Sequence, residues 1–139
     1  ALALLVDEMM RTISLASNYD ELKPYADELS SSLQLSQKIL QKLMPCAMKG
    51  NYERYLSDAN LFMEYMSIVV LSWLWLEMAV NSKEKIATDD LKYSKIFYES
   101  KIHTMKFYFK YELPKTLSLA ESLMSDEVLT IKEDKEYIV

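Results

Sequence analysis

Glycine occurs once in these 139 residues, proline three times, and cysteine and histidine once each. Each scarcity excludes something. Tight hairpin turns draw heavily on glycine and proline, so a sheet with many short connections is not expected. A phosphate-cradling loop needs several glycines to let its backbone approach the ligand, and none can be built from Gly50 alone. One cysteine makes no internal disulfide. One histidine, His103, cannot satisfy the carboxylate–histidine pattern of a di-metal bundle, which asks for Glu-x-x-His on two helices. No Gly-x-Ser-x-Gly sequence occurs, so the strained nucleophile elbow of a hydrolase is absent as well. The chain is acidic, with a net charge of −5 and no cluster of basic residues. A nucleic-acid partner would require a cationic surface.

What the sequence does have is a long apolar run, Leu61 to Val80, which holds both tryptophans. Its first half keeps a polar stripe, because Glu53, Ser57, Asn60, Glu64 and Ser67 fall on one side of a helix. Beyond Ser67 the next positions on that side are Leu71 and Leu74. A helix apolar all round must be covered all round. Its C-terminal half is therefore expected at the centre of a bundle, or against something outside this chain. The run is long enough to cross a bilayer. Glu64 and Glu77 lie on opposed faces within it, where one pore or pocket could not hide both, which argues against a membrane span.

The rest of the chain reads as further helices. Leu2, Leu5, Val6, Met9 and Ile13 mark an apolar face over 2–16. That face starts in mid-pattern at Ala1, which fits a piece of a longer polypeptide. Asn18 and Glu21 have capping-box spacing ahead of a second helix reaching Met48, with Leu22, Ala26, Leu29, Leu33, Leu40, Leu43 and Ala47 inward. Pro24 falls in its first turn, where a missing N–H costs little, and Pro45 bends its end. Gly50 stands where a helix C-terminus wants a positive φ. The third helix is expected over 52–82, a polar connection over 81–90, and a fourth helix capped by Thr88 or Asp89. Its inward positions are Leu91, Tyr98, Ile102, Met105, Phe109, Leu113, Leu117, Ala120 and Met124, with a kink or short break at Pro114. The expectation is an all-α, antiparallel up-down bundle of about four long helices over 1–125, followed by a tail over 126–139.

The chemistry-bearing side chains do not converge. Glu99 and His103 are i,i+4 neighbours on a solvated stripe with Lys92, Lys106 and Lys110. Cys46 stands near a helix C-terminus, whose negative potential disfavours a thiolate. The acidic pairs Asp7-Glu8, Asp20-Glu21, Asp27-Glu28 and Asp89-Asp90 sit at helix ends or on polar faces. Glu64 and Glu77 have apolar surroundings but point apart. No catalytic, cofactor-binding or metal-binding residue is assigned. The ten tyrosines and nine methionines stand at helical spacing and read as core and boundary residues.

Three stretches together resemble a known family. They are Ala47-Met48-Lys49-Gly50-Asn51-Tyr52-Glu53-Arg54-Tyr55-Leu56-Ser57-Asp58-Ala59, then Ile68-Val69-Val70-Leu71-Ser72-Trp73-Leu74-Trp75-Leu76, and Phe97-Tyr98-Glu99-Ser100-Lys101-Ile102-His103 through Phe107-Tyr108-Phe109-Lys110-Tyr111-Glu112-Leu113-Pro114. Over about 20–125 they resemble the extra C-terminal helical domain of the larger acyl-CoA dehydrogenases, the acetyl-CoA dehydrogenase-like and methylthiopropionyl-CoA dehydrogenase type. The resemblance implies a parent flavoprotein that uses FAD and a glutamate base to dehydrogenate an acyl-CoA across its α,β carbons. Base and flavin site would belong to preceding domains. This chain would supply structural or oligomer support, and its partners would be those domains and a second subunit. No catalytic residue carries over to any position here. The cytoplasm is the expected compartment. The alternative is a stand-alone helical module that binds a partner helix through its apolar surface.

Overall fold

The computed structural model describes residues 2–48 and 52–125, with the side chains of 46–48, 52–55 and 57 outside the description. Five helices follow one another: α1 (Leu2–Ala16), α2 (Lys23–Met48), α3 (Tyr52–Thr88), α4 (Lys95–Tyr111) and α5 (Lys115–Met124). No strand occurs among the described residues. The all-α up-down bundle is the observed architecture, with the fourth expected helix divided at Pro114 into α4 and α5. The core is formed by all five helices, from Met9 and Ile13 on α1 through Leu29 and Ile39 on α2 to Phe109 on α4 and Leu123 on α5. At its centre runs α3, which packs against each of the other four. Its Tyr65, Val69, Ser72, Leu76 and Ala79 have no exposed surface.

Polar atoms inside the bundle are bonded locally. Ser72 Oγ donates to the carbonyl of Ile68 at 2.8 Å, and Ser82 Oγ to that of Met78 at 2.8 Å. This i−4 bonding lets a hydroxyl enter a core without an orphaned donor. Two longer bonds lock α3 to its neighbours. Tyr65 Oη donates to the carbonyl of Ser32 on α2 at 2.8 Å. Trp73 Nε1 donates to Thr12 Oγ1 on α1 at 2.8 Å.

Several element ends differ from the sequence reading. Residues 17–22 form consecutive turns, with Leu22 N–H and Lys23 N–H both donating to Tyr19 C=O at 2.9 Å. The second helix therefore opens at Lys23 and not at an Asn18 cap. On its inner face Ile39 is buried where Leu40 was expected, and Leu40 is half-buried.

The third helix runs six residues past Ser82, because Lys, Glu and Ala at 83–87 are good helix formers and Ile86 packs on the core. It ends at Asp89, whose φ is 53°. Asp90 N–H donates to Lys85 C=O at 3.1 Å and Asp89 N–H to Ile86 C=O at 3.3 Å, the paired bonds of a Schellman ending. Asp89 thus closes α3. The cap of α4 is Ser94, whose Oγ accepts from Phe97 N–H at 3.3 Å.

Past Pro114 the inward register shifts. Thr116 and Leu123 are buried with Ala120, while Leu117 and Met124 are exposed. The turn at 112–114 rotates α5 relative to the line of α4. Gly50, the side chains of Cys46 and Ala47, and the 126–139 tail lie outside the described residues.

Candidate functional site

The polar candidates are spread over the surface. His103, Glu99, Lys110 and Lys92 are exposed, and Lys92 precedes α4. Glu99 lies 3.9 Å from Lys95. Glu8 lies 3.4 Å from Arg11, Asp27 3.4 Å from Lys23, and Asp90 2.9 Å from Lys85. Glu64 is exposed and Glu77 half-buried, on different sides of α3. Among the described residues, no group of three or more His, Cys, Asp or Glu side chains comes together as metal ligands would.

One carboxylate does join distant elements. Glu21, in the turns before α2, accepts from Lys106 Nζ on α4 at 2.6 Å and from Lys83 Nζ on α3. The Lys106 hydrogen bond, then that of Lys83, holds the Glu21 carboxyl below its usual range, and Glu21 in turn raises Lys106. Its partners lie 62 and 85 residues away, so no local pattern could announce this node.

Between α2 and the α4–α5 turn lies an open cleft of about 470 Å³. Leu35, Tyr65, Phe109 and Leu113 form its apolar lining, with Glu28 and Lys110 at its polar edge. Partial burial raises the Glu28 carboxyl above its usual range. A dinucleotide site of the Rossmann kind uses a glycine turn and free helix-start amides. At the start of α5, the amides of Lys115, Thr116 and Leu117 already donate to the carbonyls of Glu112, Leu113 and Pro114.

The feature that stands out is the outer face of α3. Met63, Leu71, Leu74 and Met78 are 64%, 46%, 37% and 38% exposed. They follow one another at helical spacing with Asn60, Ser67 and Asn81, which are also exposed. Ser67 Oγ donates to Met63 C=O at 2.8 Å, so the one hydroxyl in mid-stripe is satisfied within the helix. Trp73 and Trp75, half-buried, flank the stripe. Of the two alternatives raised by the apolar run, the first holds on its inner side, which is the centre of the bundle; its outer side is exposed. By length and composition Asp58–Thr88 could cross a membrane. In this fold the inner face of that segment is committed to packing on four helices, and Glu64 emerges at its side.

These features define an all-α bundle whose long third helix is buried on one side and carries exposed apolar side chains on the other. The chain belongs to the acetyl-CoA dehydrogenase C-terminal-like family, whose model matches residues 5–132. That assignment agrees with the resemblance read from the three stretches above. Neither the curated proteins nor the solved structures give a significant match.

Proposed function

We propose that this chain is the non-catalytic C-terminal domain of an FAD-dependent acyl-CoA dehydrogenase acting in the cytoplasm, and that it supports the enzyme by packing through the outer face of α3. Family membership over 5–132 supports the parent class. The uncovered stripe Met63–Met78 carries the proposed role, because apolar surface at a helix face is stabilised by removal from water. On this reading the flavin and the base that takes the α proton belong to preceding domains. The residues described here supply buried area and orientation, and no proton transfer is assigned to them.

The test is the visible absorption spectrum of the complete polypeptide that carries this chain, purified from its source through an affinity tag. Flavin bands that bleach on adding an acyl-CoA are expected. A colourless protein that leaves acyl-CoA unchanged would refute the dehydrogenase reading and favour a helical interaction module instead.

A further inference from the structure

We draw no further inference here: the strongest candidate, the exposed apolar patch on the outer side of α3 at Met63, Leu71, Leu74 and Met78, belongs to the contact face already proposed, and nothing in the structure shows what covers it.

Discussion

Replacing Tyr65 with phenylalanine tests the junction of α2 and α3 at one oxygen atom. The ring is wholly buried, and its hydroxyl donates to Ser32 C=O at 2.8 Å. Phenylalanine keeps the ring packing, so the loss at neutral pH is that of one neutral hydrogen bond, roughly 1 kcal/mol. For a chain of this length that corresponds to a melting point lower by about 3 °C.

The pH dependence is more discriminating. Burial pushes the Tyr65 hydroxyl from 10.0 up to about 12. The neutral phenol is the form the fold prefers, so its contribution is complete below pH 10 and is lost as pH rises from 10 towards 12. At pH 11 that loss is on the order of 1 kcal/mol and at pH 12 on the order of 2 kcal/mol. The wild type should therefore be the more stable protein at pH 8, the two should be equal near pH 11, and Tyr65→Phe should be the more stable above that. Urea titrations followed by far-ultraviolet circular dichroism give the difference at each pH, and other tyrosines cancel because both proteins carry them. A stability difference constant from pH 8 to 12 would refute the buried, neutral phenol on Ser32.

Three further substitutions probe other joints. Thr12→Val removes the acceptor of Trp73 Nε1 and leaves an indole N–H without its partner, so a loss of about 1–3 kcal/mol is expected in urea melts; an unchanged midpoint would count against the α1–α3 bond. Asp89→Gly relieves a non-glycine residue at φ 53° and should raise stability by about 0.5 kcal/mol, read as a higher thermal midpoint; a lower midpoint would refute the left-handed ending. Glu21→Gln removes a carboxylate held low by Lys106 and Lys83. Its contribution is present above pH 4.5 and lost as pH falls through the lowered value. The site is partly exposed, so the expected effect at pH 7 is only on the order of 0.5 kcal/mol and should shrink in high salt. A larger, salt-independent loss would contradict that account.

The parts of the fold that were legible in the sequence are those written in local periodicity. The inward faces of α1 at Met9 and Ile13, of α2 up to Leu33 and of α4 from Tyr98 to Phe109 follow from apolar spacing, while Leu2 is exposed and Leu91 precedes α4 and is only half-buried; Pro114 marks the break between α4 and α5. Readings failed where a distant contact decides the outcome. The segment 83–88 looks like a connection by composition, yet Ile86 reaches the core and keeps it helical. Leu117 belongs to the inward face only if the line of α4 continues, and the turn at 112–114 rotates it out. The apolar outer side of α3 was visible as the end of a polar stripe at Ser67. Pairings such as Trp73 with Thr12 or Glu21 with Lys106 had no trace in the sequence, because nothing in a linear pattern relates residues so far apart.

The position of α3 has a further consequence for how the molecule opens. Every other helix leans on it, so its midsection can expose its amides to deuterium only when the whole molecule comes apart. The flanking helices have fewer supports: α1 rests mainly on α2 and α3, and α4 mainly on α3. Exchange should therefore proceed from the flanks inward, with amides around Val69–Leu76 the last to be replaced. A protease cut near either end would shed one helix and leave a smaller folded body. A cut inside α3 would leave no part of the bundle with a core to close around.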